Sequence, residues 1–207
     1  MHTNLSIIGS GGHAKVVVES LNFSRSDIKV KIFDENRSTL DLLLGKYSVE
    51  FLEDWTDLDN YFHVAIGSNE SRARISQDAI KFGKKPFNVI HSLATVFESV
   101  SLQEGIFLAS NSIVASGFVI NSGCIVNHAA IIDHDCIIGE YSHIAPNATL
   151  GGGVSVGAQC LIGAGSIILP DIKIGNNVVI GAGSVVVKNV KDSQIIVGVP
   201  GKEIRKK

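Results

Sequence analysis

Chemistry in this chain of 207 residues concentrates in two places. The first is Asp133-His134-Asp135. A carboxylate beside an imidazole raises its basicity and fixes its tautomer, which suits a general base working near neutral pH. A histidine among acids is equally compatible with plain solvated surface. The second place is Gly9-Ser10-Gly11-Gly12-His13-Ala14, which follows an apolar run and opens a helical one. Backbone N–H groups and the positive end of a helix dipole would face outward there together. The loop meets G-x-G-x-x-A, and Asp34 stands twenty residues after Ala14, where an acid would take a ribose hydroxyl. A full dinucleotide fold uses two βαβαβ halves, however, and only the first ninety residues have this character. The loop therefore reads as a cradle for a nucleotide diphosphate, with NAD binding and a simple strand-to-helix connection as alternatives. Asp34 is then a ribose or base contact, or else a solvated strand end or helix cap.

Two kinds of element must position these groups. From Ile90 to Val186 every sixth residue is aliphatic, through seventeen consecutive positions without an insertion. That period fits neither a helix nor simple strand alternation, and it marks a parallel β-helix of hexapeptides, three sides to a coil of eighteen residues. The position four residues later must also point inward. It carries Ile106, Ser112, Phe118, Cys124, Ala130, Cys136, Ser142, Ala148, Val154, Cys160, Ser166, Ile172, Val178 and Ser184, most of them small. Directly after the aliphatic position stand Asn121, Asn127, Gly139, Gly151, Gly157, Gly163, Gly175 and Gly181, which suggests corners with positive φ. His134, two residues after an inward aliphatic, falls on the outer side of a coil wall, and Gly152 stands eighteen residues later, one coil above it. The Gly152 N–H is thereby placed to act as an oxyanion donor beside His134. His128 and His143 lie nearby, and histidines on adjacent coils would also suit a zinc ion.

Before residue 90 the period changes. Strands are expected over 4–8, 28–33, 47–52, 62–66 and 86–90, and helices over 13–21 and 70–82, an alternation that indicates a small parallel α/β domain. Gly67-Ser68-Asn69 ends one of those strands and would face the same crevice as the glycine loop. The expected domains are thus 1–90, Rossmann-like, and 91–207, the β-helix. Residues 188–198 put Lys188, Lys191 and Asp192 where apolar residues are needed, so they are expected to fold over the end of the coil as a cap.

A net charge of −2 offers no field for nucleic acid, no apolar run is long enough to span a bilayer, and nothing near Met1 resembles a signal peptide. A cytoplasmic, soluble protein is expected. Cys124, Cys136 and Cys160 share the small inward position, which assigns them to core packing rather than to catalysis or metal.

The hexapeptide pattern resembles the left-handed β-helix of the hexapeptide acyltransferases. The combination of Ile7-Ile8-Gly9-Ser10-Gly11-Gly12-His13, Ala65-Ile66-Gly67-Ser68-Asn69-Glu70 and Asn127 through His134-Asp135-Cys136 to Ser142-His143-Ile144 is similar to bacterial nucleotide-sugar acetyltransferases of the sialic acid O-acetyltransferase and UDP-4-amino-sugar N-acetyltransferase group. The likeness spans nearly the whole chain. It implies an acetyl-CoA-dependent N-acetyltransferase, metal-free, acting on the 4-amino group of a UDP- or dTDP-linked 4-amino-4,6-dideoxy sugar in polysaccharide biosynthesis. O-acetylation of a sugar or sialic acid is the alternative. It further implies His134 as base, Asp135 as its partner where several relatives carry the longer glutamate, Asn127 positioning the acceptor, and His143 on the acetyl-CoA side. Gly9, Ser10, Gly11, Gly12, His13, Asp34, Gly67, Ser68 and Asn69 are the expected nucleotide-sugar contacts. Val197-Gly198-Val199-Pro200-Gly201 resembles the family's G-V-P-A-K ending, so Gly198 and Pro200 are expected near the pantetheine arm. A homotrimer with active sites between subunits completes the expectation.

Overall fold

The structure, a computed structural model, describes residues 3–25, 27–36, 42–117 and 119–204. The chain divides into two compact units, Met1–Ser92 and Leu93–Lys207.

In the first unit, β1 (Thr3–Ile8), β2 (Ile28–Asp34), β3 (Leu42–Leu43), β4 (Tyr47–Phe51), β5 (Tyr61–Val64) and β6 (Lys85–Pro86) form one sheet in the order β3-β4-β2-β1-β5-β6. All neighbours are parallel except β3, which runs antiparallel to β4. Helix α1 (Gly12–Ser24) follows β1, and α2 (Asn69–Lys81) follows β5. β1 is central because its side chains are buried on both faces: Leu5, Ser6, Ile7 and Ile8 are all fully covered. Since β1 pairs with β2 on one side and β5 on the other, the ends of all three strands lie together at the carboxyl edge, where a crevice opens in open α/β sheets. The expected strand over 86–90 is instead two pieces, β6 and β7 (Val89–Ile90). Val89 is buried, β7 packs against α1, and Ile90, the first member of the sixfold series, is exposed.

The second unit is a parallel β-solenoid. Its first face stacks Phe107–Leu108, Ile125–Val126, His143–Ile144, Leu161–Ile162, Val179–Ile180 and Ile195–Val197. The second face runs from Thr95–Val96 through Ile113–Val114, Ile131–Ile132, Thr149–Leu150 and Ile167–Ile168 to Val185–Val186. The third runs from Ser101–Leu102 through Val119–Ile120, Ile137–Ile138 and Ser155–Val156 to Lys173–Ile174. Every sixth residue from Leu108 to Val186 is at most 4% exposed, so the period marks the core. The small inward residues are buried too, apart from Phe118, which lies outside the described residues.

Two expectations about the coil are corrected. Positive φ does not fall directly after the aliphatic residue; it falls three residues after it, at Gly117, Gly123, Ala129, Asp135, Tyr141, Asn147, Gly153 and their successors. The glycines directly after the aliphatic position are required for space. A Cβ on Gly139 would lie 2.4 Å from the Gly157 carbonyl carbon, and one on Gly157 2.6 Å from that of Gly175. The segment 188–198 is also no lid. Val190 bridges to Ile174 and Ile196 pairs with Ile180, so the chain completes one more coil with a spacing of sixteen residues, burying Val190 and Ile196 in the core. Closure comes after it, where Lys202–Ile204 turns back antiparallel to Ile195–Val197.

Candidate active site

At the carboxyl edge of the first sheet lies a crevice of about 340 Å³ lined by Gly9 to His13, Asp34, Asn36 and Ala65 to Gly67. Gly9 has φ of +114°, and a Cβ there would meet Ile66 Cγ1 at 2.8 Å, so only glycine lets the loop pass so close to the end of β5. Around Gly11, Gly12 and Gly67 an added Cβ meets nothing within 4 Å, so these backbones face open space. Gly11 begins α1 without a side-chain cap, and no acid stands in the first turn, which leaves the positive helix end available to an anion. Asp34 holds this loop in place: its Oδ2 accepts from Ser10 N at 2.9 Å and from Ser10 Oγ at 2.6 Å, and its Oδ1 accepts from Asn36 N at 2.8 Å. Asp34, the carboxylate expected to contact a ligand, thus lines the crevice and also positions the cradle.

In the solenoid, His134 follows Ile131–Ile132 and stands at the corner between the second and third faces. Its Nδ1 lies 2.9 Å from Asp135 Oδ2 and its backbone N–H donates to Asp133 Oδ1 at 2.8 Å. The shorter acid reaches the ring from the left-handed corner position, where Asp135 has φ of +58°. With Nδ1–H donating to a carboxylate, Nε2 is left as the basic nitrogen. The imidazole is held above its ordinary pKa of 6.5 by the Asp135 hydrogen bond first, then by the charge of Asp133, with Asp171 adding to it. Gly152 stacks on this ring: a Cβ there would lie 2.5 Å from His134 Cε1 and from Nε2. The stacking is fixed by Gly153 N donating to His134 O at 2.8 Å and Asp171 N donating to Gly152 O at 2.9 Å.

Asn127 and His143 form a separate pair. Asn127 Oδ1 accepts from His128 N at 2.8 Å, which orients the amide so that Nδ2 donates to His143 Nε2 at 3.1 Å. His143 is therefore the tautomer with its proton on Nδ1. Both belong to the first face and the corner that follows it, so within one chain Asn127 pairs with His143 and not with His134. The three histidines do not converge, and among the described residues no group of three His, Cys, Asp or Glu side chains is placed to hold a metal.

Three family models match: the PglD N-terminal domain over residues 4–79, the hexapeptide repeat of succinyl-transferase over 130–170, and the bacterial transferase hexapeptide over 153–188. PerB from Caulobacter crescentus, solved with CoA and GDP-perosamine, is 35% identical over 98% of this chain and 97% of that one, with a TM-score of 0.91. The acetyltransferase domain of PglB from Neisseria gonorrhoeae, solved with acetyl coenzyme A, is 31% identical over 99% and 100%, with a TM-score of 0.92. Among the similar structures is also a histidine-to-alanine variant of the Caulobacter crescentus GDP-perosamine N-acetyltransferase, 34% identical over 98% and 97%, with a TM-score of 0.91. The chain belongs to the nucleotide-sugar acetyltransferases of the left-handed β-helix superfamily. It is an acetyl-CoA-dependent acetyltransferase.

For this acetyltransferase the remaining expected residues fall as follows. Of Gly67-Ser68-Asn69 only Gly67 lines the crevice; the Ser68 hydroxyl caps α2 by accepting from Ser71 N, and Asn69 Oδ1 is taken by Arg72. Gly198 lies beside Val185, donating its N–H to Ser184 Oγ at 3.0 Å and accepting from Val185 N at 3.1 Å; Gly201 N donates to Val185 O at 2.7 Å beyond Pro200. Two residues escaped the sequence reading. Asn36 lines the crevice two residues beyond Asp34. Arg72, only 1% exposed, donates Nη1 to the carbonyls of Ile66 at 3.0 Å and Gly67 at 3.2 Å, and so fixes the turn opposite the glycine loop. Its position in the first turn of α2 was the available signal.

Proposed function

We propose that this enzyme transfers the acetyl group of acetyl-CoA to the 4-amino group of a nucleoside-diphosphate-linked 4-amino-4,6-dideoxy sugar, UDP- or dTDP-linked, with His134 as general base. The observation that carries the reading is the His134–Asp135 pair at 2.9 Å with Gly152 against the Cε1–Nε2 edge of the ring. Nε2 takes the proton released as the amine attacks the thioester carbonyl, and the Gly152 N–H, which donates to no acceptor among the described residues, meets the charge developing on the acyl oxygen. Amide and free CoA leave; a ternary complex suffices, without a covalent enzyme intermediate. The N-terminal unit acts as a small Rossmann-like domain whose glycine loop and α1 terminus hold the diphosphate.

The coil is read as left-handed and trimeric. Ile113, Ile131 and Ile167 of the second face, Val119 and Ile137 of the third and Leu161 of the first point outward and are 36–49% exposed, apolar surface suited to packing about a three-fold axis. Such packing sets the His134 corner of one subunit against another wall of its neighbour, which accounts for Asn127 and His143 standing apart from His134. His143, Gly198 and Pro200 are assigned to the acetyl-CoA side.

The test is release of CoA thiol with UDP-, dTDP- and GDP-linked amino sugars, alongside thermal stabilisation by each. Release that depends on the amino sugar, with a product stable to hydroxylamine as an amide is, supports the reading. A hydroxylamine-labile ester would make it an O-acetyltransferase, and release at the buffer rate with all three would overturn it.

Two expected results follow from the geometry. A base must be neutral, so kcat/KM falls as pH drops through the raised pKa of His134, placing the acidic limb above 6.5. Asp135→Asn removes the main cause of the raise and moves that limb to lower pH, read from the pH–rate profile. Asp34→Ala releases Ser10 from two hydrogen bonds. It should raise KM for the nucleotide sugar by about tenfold, at about 0.5–1.5 kcal/mol per bond, while leaving acetyl-CoA binding unchanged by calorimetry.

A further inference from the structure

The inward residues of the solenoid do more than fill space. Cys124 Sγ donates to Gly139 O at 3.1 Å, Cys136 Sγ to Gly151 O at 3.2 Å and Cys160 Sγ to Gly175 O at 2.9 Å. Ser142 makes the same contact to Gly157 O at 2.7 Å. Each bridges fifteen residues, from inside one coil to the corner of the next, where the carbonyl turns away from the strand ladder. Three of these four contacts serve the corner between the third and first faces. Cys136 alone of the four serves the corner of His134.

The acceptor there matters. Gly151 C=O and Gly152 N–H belong to one planar peptide group, so whatever fixes the carbonyl fixes the direction of the N–H on its other side. The neighbouring groups are fixed as well: Gly153 N donates to His134 O, Asp171 N donates to Gly152 O, and Gly151 N donates to Ile168 O at 3.0 Å. The Cys136 thiol holds the Gly151 carbonyl toward the interior, beside a longer contact from Val154 N at 3.4 Å, so the Gly152 N–H on the opposite side of the peptide points outward, at the residue that lies against the His134 ring. A donor on the carbonyl also polarises the peptide and makes the opposite N–H a better donor.

We infer that Cys136 is a positioning residue for catalysis, holding the Gly151–Gly152 peptide so that its N–H meets the acyl oxygen. Burial pushes this thiol up to about 11, so it stays protonated and remains a donor throughout the working range. The inference rests on Gly152 and His134 forming the reaction centre.

The test compares Cys136→Ala, Cys136→Ser and Cys124→Ala in the full-length enzyme, with kcat, KM for both substrates and thermal midpoint measured for each. An oxyanion donor is worth roughly 10²–10³-fold, so a donor left in place but loosely held should lose a part of that. Cys136→Ala is expected to lower kcat about tenfold with both KM values unchanged, and Cys136→Ser to restore it, since serine makes the equivalent contact at Ser142. Cys124→Ala removes the same kind of contact from another corner and is expected to lower the midpoint similarly while keeping kcat. The inference is overturned if Cys136→Ala keeps kcat within about twofold, if serine fails to rescue, or if Cys124→Ala loses as much. Should Cys136→Ala not fold, the Cys136→Ser and Cys124→Ala values still decide it: serine must retain kcat. If His134→Ala keeps wild-type turnover, the reaction-centre reading has failed; if it loses turnover while Cys136→Ala does not, only the role of Cys136 has.

Discussion

His134→Ala should reduce turnover by 10²–10⁴-fold while acetyl-CoA affinity and thermal stability stay as in the wild type. The side chain is 63% exposed and its one side-chain partner among the described residues, Asp135, is 72% exposed, so removing it opens no cavity and strands no buried charge. Loss of the imidazole therefore acts on chemistry alone. Turnover and acetyl-CoA affinity measured on a single preparation separate the two effects. A loss smaller than about tenfold would mean that another group takes the proton.

Gly152→Ala is expected to be nearly as damaging, for a different reason. A methyl there would sit 2.5 Å from His134 Cε1 and Nε2, far inside contact distance. Gly152 is absent from the positive-φ residues, so alanine brings no backbone strain, and the solvated ring is free to swing away. The fold should survive with its thermal midpoint shifted by only a few degrees. The base, however, leaves its place between Asp135 and the acyl oxygen, and a displacement of about 1 Å in a catalytic group costs on the order of 10²-fold. Steady-state kinetics with a melting curve for the same sample checks both halves. Equal loss of stability and activity would indicate a packing defect instead.

The solenoid was legible because one geometric rule, an inward side chain every sixth residue, acts at every side of every coil and leaves the same mark each time. The corners were harder to read. Their left-handed residue tolerates alanine, aspartate, tyrosine, asparagine and glutamine, from Ala129 to Asn177, so it leaves no compositional trace. The glycines that do stand out answer to the coil above, which a linear sequence does not display. The final coil was hidden by Lys188, Lys191 and Asp192, because a spacing of sixteen residues moves them out of the positions where they looked disruptive. At the site, the pairing of His134 with Asp135 and the stacking of Gly152 follow from local order and from the eighteen-residue coil. The grip of Asp34 on Ser10 did not, since an acid that holds a neighbouring loop and an acid that awaits a ribose look alike in sequence. The role of Arg72 was harder to read for a related reason: beyond its place in the first turn of α2, its partners include backbone carbonyls, which carry no residue type.

The central claim is that His134 Nε2 and the Gly152 N–H flank one reacting carbonyl, and a crystal structure of the enzyme with CoA bound tests it most directly. The pantetheine thiol should lie between His134 of one subunit and the wall of its neighbour, near the roughly 3–3.5 Å separation that reaction requires once the acceptor is present. A thiol more than about 8 Å from both groups, well beyond that near-contact distance, would contradict the mechanism while leaving the fold intact.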